Sequence, residues 1–419
     1  MRRRVLFASE AVSIAHVARP SVLADALGAE QFDVHFASSG EYAFCHRDRH
    51  WTFHRLASLS PQAFLQRLAS GLPVHGRDEI ARCVDDDLRL LNSVRPDCVV
   101  HDFRLSMAIS ARLAGVPLLS ICNAHWSPFA QRAPMLAPDL PLLRHLAAGL
   151  RDAGFRATWP AANRAHVAAV NAVRRRHGLV AYGSVFEYYC DGDQVLYADA
   201  AELTPTPGAP ASHVFLGPLI WSPQGSLPDW WPDELAKGAQ AQRAYITLGS
   251  TGQVDLLPRI ISACRGAGLD CLVATAGRKG LHADAPAVRV ADYLPGSEAA
   301  ALARIVVCNG GSATAYQALA QGVPVLGICS NLDQILTMQG IERAGAGLLL
   351  RAGDADASRL GGAVRAIIAS PAFGHAARRV RAWFERLDAS RRFRELMAAG
   401  PAAPSSALRT PGLAPRDRP

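Results

Sequence analysis

Three stretches of the chain hold residue types that could do chemistry. The first is Asn309-Gly310-Gly311-Ser312-Ala313-Thr314. An apolar run ends at Cys308, the glycines make a tight turn, and the pattern predicts a helix from about Ser312–Thr314. Free N–H groups at such a helix start, with the helix dipole behind them, form an anion site. Glycine lets the backbone approach a phosphate closely. Asp333-Gln334 stand at a later strand-to-helix junction on the same sheet edge, where alone they read as a helix cap. The second stretch is the strand and loop Tyr245–Gly252. The third pairs a lone His16, after the first strand, with Asp102, at the end of the buried strand Cys98–His101. That placement brings a carboxylate to a cleft edge, although it would also suit an N-cap for the next helix.

The elements that must position these residues alternate between strand and helix. Strands are expected at Arg4–Ala8, Phe32–Ala37, Trp51–Leu56, Cys98–His101, Leu118–Cys122, Gln194–Ala198 and His213–Leu216. Ser13–Leu27 has helical spacing, with the regular helix expected from about Pro20. Pro61–Leu91 reads as mainly helical and Leu140–Gly178 as irregular helices. Pro218, Pro223, Pro228 and Pro232 mark a linker, 218–240. The alternation then resumes from Tyr245 to about Ala398. The fold class is therefore α/β, with two Rossmann-like doubly wound parallel sheets facing each other. The domains are 1–217 and 241–398. Residues 399–419, rich in Pro, Ala, Ser and Arg, read as a disordered tail.

The stretch Val306–Leu350 resembles the nucleotide-sugar signature of glycosyltransferase family 1, the UDP-glycosyltransferase superfamily, in its bacterial form. That signature reads H-G-G-x-G-T-x-x-E-A-L-x-x-G-V-P, with D-Q further on. The matching residues are Gly310-Gly311, Thr314, Ala318-Leu319, Gly322-Val323-Pro324, Asp333-Gln334 and Gly345-Ala346-Gly347. Asn309 stands in place of a phosphate-contacting histidine, Gln317 in place of a ribose-binding glutamate, and Ala313 in place of a glycine. Ala15-His16-Val17-Ala18-Arg19-Pro20 resembles the pattern G-H-x-x-P, with the proline one residue late.

The resemblance implies a GT-B fold and an inverting glycosyltransferase that needs no metal or other cofactor, with a UDP- or dTDP-sugar as donor. In that fold 1–217 would bind the acceptor and 241–398 the donor, with the last helices packing back on the first domain. His16 would be the general base and Asp102 its orienter. Ser250, Thr251, Asn309, Gly310, Gly311, Ser312, Ala313 and Thr314 would hold the diphosphate. Leu294 and Gln317 would meet the base and ribose, and Asp333 and Gln334 the sugar. Trp126 and Phe129 would help line a pocket for a small hydrophobic or lipid acceptor, in secondary metabolism. Neutral imidazole suits the task, because it can take a hydroxyl proton during attack on the anomeric carbon. Two alternatives share the fold. One is a non-catalytic nucleotide-binding partner protein. The other is a lipid-linked sugar transferase or a sugar-nucleotide epimerase.

The composition fits this class. The chain has 419 residues, 50% hydrophobic and 19% charged, which excludes a disordered or fibrous protein. Net charge is +8, carried almost entirely by arginine, because lysine occurs only at Lys237 and Lys279. Such a surface suits an anionic nucleotide or membrane face. No basic-aromatic module points to nucleic acid. Nine scattered cysteines without a C-x-x-C pair suggest a reducing cytoplasm, and no cleavable leader is expected after Arg2-Arg3-Arg4. His46, His50 and His54 have metal-like spacing, but Trp51-Thr52-Phe53 between them favours a strand. Asp85-Asp86-Asp87 reads as a solvated helix face, and Asp191-Gly192-Asp193 as a turn.

Overall fold

Short apolar runs buried on both faces alternate with helices along the chain, the pattern that drives strands into parallel sheets. The computed structural model describes residues 2–46, 49–140, 143, 145–223, 227–236, 242–278 and 287–400. The first sheet contains β1 (Arg3–Ser9), β2 (Phe32–Ser38), β3 (Thr52–Arg55), β4 (Cys98–Asp102), β5 (Leu118–Cys122), β6 (Gln194–Tyr197) and β7 (His213–Phe215). Its order is β3-β2-β1-β4-β5-β6-β7. The second contains β8 (Arg243–Thr247), β9 (Asp270–Ala274), β10 (Val288–Ala291), β11 (Ile305–Cys308), β12 (Val325–Cys329) and β13 (Gly347–Arg351), ordered β10-β9-β8-β11-β12-β13. All these pairings are parallel.

In both sheets the order reverses between two neighbouring strands, β1 and β4 in one and β8 and β11 in the other. Loops leave such a junction in opposite directions and open a crevice at the carboxyl ends of the strands. Ser9 pairs with Asp102 at the first junction, and Thr247 with Cys308 at the second. The two fold junctions therefore deliver His16, Asp102, the 249–252 loop and the Gly310 turn to one cleft. Helix Ala389–Ala399 returns to the first sheet, where Phe393 is fully buried 6.1 Å from Phe7.

Several boundaries depart from the sequence reading. The first helix begins at Ile14, well before Pro20. Ser13 is extended and starts the helix. Pro20 inside it forgoes the bond its missing N–H would have made to the His16 carbonyl and crowds that carbonyl, yet the helix runs on to Asp25. Pro61–Leu91 is two helices, Pro61–Ala69 and Arg77–Val94, because Gly71 turns the chain through a left-handed φ of 66°. In place of irregular helices there is one long helix, Ala148–Arg176. Asp87 is no solvated residue: it is fully buried against Arg104 at 2.9 Å. Helix Trp231–Ala236 lies within the linker range, of which 224–226 and 237–240 fall outside the described residues. So does the tail from 401 onward. Among the described residues no helix is long and apolar enough to cross a membrane.

Candidate active site

The cleft encloses a cavity of about 280 Å³ lined from both sheets. On one side Ile14, Phe64, Leu68, Val74, Phe103, Trp126 and Tyr189 give it an apolar wall. On the other lie Ser250, Thr251, Asn309 and Gly311–Thr314.

His16 occupies the first turn of helix Ile14–Asp25, which follows β1. Its Nδ1 is 2.7 Å from Oδ1 of Asp102. With Nδ1–H donating to the carboxylate, Nε2 keeps its lone pair for a proton taken from the cavity. Phe103 stacks on the imidazole, ring centroids 4.6 Å apart and planes 14° from parallel. It does so from a left-handed φ of 58°, a conformation that costs energy in a bulky residue and here turns the chain straight after Asp102.

Asp102 is fully buried, and burial alone would raise its pKa. Arg19 and His16 beside it more than reverse that effect and hold the carboxyl below its ordinary value. Arg19 Nε lies 2.8 Å from Oδ2 and Nη2 lies 2.7 Å from Oδ1, a two-pronged clamp. His101, on the same strand, is buried instead in the sheet, and burial lowers its pKa to about 4, so it is no base for this cleft.

The side of the cavity opposite the apolar wall is built by backbone constraint. Gly310 has a φ of 81°, and a Cβ there would meet Cys329 Sγ at 2.6 Å and Met338 Cγ at 2.8 Å. Asn309 Oδ1 accepts from the Gly311 N–H at 3.1 Å, while its Nδ2 donates to Thr251 Oγ1 at 2.9 Å. The amide thus shapes the turn and locks it to the neighbouring loop, two bonds that an imidazole, with its donor and acceptor on opposite sides of a ring, cannot make in the same geometry. Helix Ser312–Ala320 then opens toward the cavity. Arg278 donates to the carbonyls of Ser250 and Gly252, which holds that loop and adds a positive charge near it.

Leu294 is buried at the cavity wall beside Tyr293, which is 38% exposed. The Gln317 Nε2 donates to the Trp221 carbonyl at 2.6 Å, a bond that a glutamate could not make. Asp333 keeps 44% of its side-chain surface open to the cleft. Its Oδ1 accepts from Trp126 Nε1 at 2.8 Å and faces His125 Nε2 at 3.0 Å. Burial would raise its pKa, but the His125 bond and charge and the Trp126 N–H lower it to about 2.

Two expected residues have other partners. Gln334 lines the cavity but is only 1% exposed. Its Oε1 accepts from the Ser330 N–H at 2.7 Å and its backbone N–H is capped by Asn331, which starts helix Leu332–Arg343, while its Nε2 donates to Thr251 Oγ1 at 3.3 Å. Phe129 is not among the cavity-lining residues; its ring meets His213 edge-on at 5.5 Å. Conversely, sequence reasoning gave no role to Arg19, Asn123, His125 or Asp199. Arg19 left a trace, because it is the residue that displaces Pro20 from its usual place in the His16 motif. Among the described residues no group of His, Cys, Asp and Glu is arranged to hold a metal ion.

Known proteins agree with this architecture. Residues 270–386 match the family described as erythromycin biosynthesis protein CIII-like, C-terminal domain. A PGL/p-HBAD biosynthesis rhamnosyltransferase of Mycobacterium bovis is 42% identical over 386 residues, covering 92% of this chain and 85% of the relative. A PGL/p-HBAD biosynthesis glycosyltransferase of Mycobacterium tuberculosis is 40% identical over 382 residues, covering 90% and 88%. The structure of spinosyn rhamnosyltransferase SpnG complexed with thymidine diphosphate shares the fold, with a TM-score of 0.65 at 18% identity over 94% of this chain and 100% of that one.

Proposed function

We propose, for a chain that belongs to the GT-B glycosyltransferase family of the PGL/p-HBAD rhamnosyl- and glycosyltransferases, an inverting, metal-independent transfer of a sugar from a nucleoside-diphosphate donor to a hydroxyl. The chain is a glycosyltransferase; its finer membership is family 1, on the motif Gly310–Pro324 with Asp333. The observation that carries the mechanism is the His16–Asp102 bond of 2.7 Å in a cavity shared with the Gly311–Thr314 helix start.

The acceptor hydroxyl sits over the apolar wall near Phe64, Phe103 and Tyr189. His16 Nε2 takes its proton as the oxygen attacks the anomeric carbon. The diphosphate leaves from the opposite face, which inverts the configuration. Its charge is received by the N–H groups at Ser312–Thr314 and by the Ser250–Thr251 loop, so the reaction does not depend on a metal. Asp333 accepts hydrogen bonds from the sugar through its open carboxylate oxygen. Leu294 and Gln317 border the base and ribose.

The donor is a dTDP- or UDP-sugar carrying a rhamnosyl-like hexose, in keeping with the names of the relative and of the thymidine-diphosphate complex. The acceptor is a small apolar or lipid-like alcohol or phenol, glycosylated in the cytoplasm or at the inner membrane face. A purely binding role or an epimerase would leave the His16–Asp102 pair without a task.

Calorimetry with nucleoside diphosphates and their sugar conjugates, beside a transfer assay on a panel of phenols and alcohols, tests the reading. Expected is one sugar nucleotide bound equally by wild type and His16→Ala, transfer by wild type only, and a product of inverted anomeric configuration. A His16→Ala protein that transfers at the wild-type rate, or a retained configuration, overturns it.

A further inference from the structure

The residue that breaks the His16 motif is the start of a second structure around it. Arg19 follows His16 by three positions on helix Ile14–Asp25, so the two side chains leave the same helix face. A proline at that place could contribute no hydrogen bond. Arg19 instead is nearly buried, with its Nη2 3.2 Å from His16 Nδ1, and it donates to two further partners. One is Asp102, held side-on at 2.8 and 2.7 Å. The other is Asn123 Oδ1, 2.7 Å from Nη1.

That same Asn123 oxygen accepts from Ser312 Oγ at 3.2 Å. Asn123 Nδ2 in turn lies 3.2 Å from both oxygens of Asp199, which also accepts from the Tyr316 hydroxyl. Ser312 and Tyr316 belong to the helix whose start faces the donor cavity. A continuous line of bonds therefore runs from the imidazole, through Asp102, Arg19 and Asn123, to the donor helix, and a branch at Asp199 joins the same helix a second time.

We propose that Arg19 is a positioning residue for the transfer reaction: it fixes the Asp102 carboxylate toward His16 and, through Asn123 and Ser312, couples that alignment to closure of the two domains. The guanidinium fork stops rotation of the carboxylate, so Oδ1 stays aimed at Nδ1. Closure brings Ser312 to Asn123, which completes the second half of the clamp. The base is thus aligned when the donor helix is in place. The kinetic part of this proposal rests on the transferase reading; the alignment itself does not.

The test uses Arg19→Met, Arg19→Lys and Arg19→Ala in the full chain. The first readout is the proton NMR signal of the His16 Nδ1–H, assigned by its loss in His16→Gln. Wild type is expected to protect this proton from exchange, Arg19→Lys to protect it partly, and Arg19→Met to lose it. Circular dichroism and calorimetry with the nucleoside diphosphate serve as controls and are expected to match wild type within about twofold. In the transfer assay kcat is expected to fall about 100-fold in Arg19→Met, comparable with loss of acid–base assistance, with donor KM little changed. Added guanidinium is expected to restore part of kcat to Arg19→Ala. Persistence of the protected signal in Arg19→Met overturns the proposal. So does a kcat loss that tracks donor affinity and resists guanidinium, because that describes a merely structural residue. A wild type that transfers no sugar would overturn the transferase reading, while the NMR arm would still decide the alignment.

Discussion

The Trp126 indole N–H lies 2.8 Å from Oδ1 of Asp333, so a side chain that follows β5 of the first sheet fixes a carboxylate of the second. His125 Nε2 reaches the same oxygen at 3.0 Å. One carboxylate oxygen is thereby occupied, while 44% of the side-chain surface stays open at the cavity wall. Asp333, which the proposed function places against the donor sugar, is thus held by side chains of the first domain.

Trp126→Phe should expose this dependence. It keeps most of the ring but removes the N–H. A hydrogen bond to a charged acceptor contributes about 1.5–3 kcal/mol, so affinity for the sugar nucleotide should fall roughly 10- to 100-fold. The same diphosphate without its sugar should bind as in wild type. Calorimetry with both ligands checks this; equal losses for the two would place Trp126 outside the sugar subsite.

Asn309→His restores the residue usual in the resembling family, yet it should weaken donor binding. Asn309 caps Gly311 with its oxygen and holds Thr251 with its nitrogen. Histidine cannot do both with the same geometry, so the loop and the turn separate. Loss of one such bond costs about 1 kcal/mol, or roughly fivefold in affinity. Tighter binding by the variant would show that the turn tolerates an imidazole and that charge matters more than shape here.

Gly310→Ala should be far more damaging than its size suggests. The new methyl would meet Cys329 and Met338 well inside contact distance, on a backbone at φ 81°. Overpacking and left-handed strain together cost about 2–4 kcal/mol. Denaturant unfolding should show that loss, and nucleoside-diphosphate binding should fall with it. Full stability in the variant would mean that Met338 moves aside.

How far the sequence reveals these features depends on how local their causes are. The Gly310–Gly311 turn is legible because few residues tolerate its backbone, and the strands because their apolar runs are short and bounded by Gly and Pro. The His16–Asp102 pair is legible only by resemblance, since 86 positions separate the two residues. Arg19, Asn123 and His125 are illegible for the same reason: their partners come from remote strands and, for Asn123 and His125, from the other sheet. Gln334 is ambiguous in the sequence because a helix cap and a sugar ligand need the same residue types at the same junction. Asp87 misleads because a run of aspartates looks solvated until Arg104, seventeen positions on, is found beneath it.

Acid should remove stability through a site that lies just beside the active centre. Glu10 follows β1 and is 1% exposed. Its Oε2 meets Arg104 Nη1 at 2.8 Å, and its Oε1 accepts from the Leu59 N–H at 2.7 Å. Burial would raise its pKa, but Arg104, His75 and the Leu59 N–H outweigh burial and lower it from 4.5 to about 2. The unfolded chain therefore takes up this proton first as pH falls. Stability from Glu10 is complete above pH 4.5 and disappears as pH drops through about 2. Its full size is roughly 3 kcal/mol. Asp102 and Asp333, also lowered, act in the same direction. Glu10→Gln should be less stable than wild type at neutral pH, because it leaves Arg104 with Asp87 alone among its carboxylate partners. Its stability should also decline less between pH 4.5 and pH 2, and urea unfolding across that range measures both effects. An unchanged slope in the variant would shift the acid sensitivity to the other carboxylates.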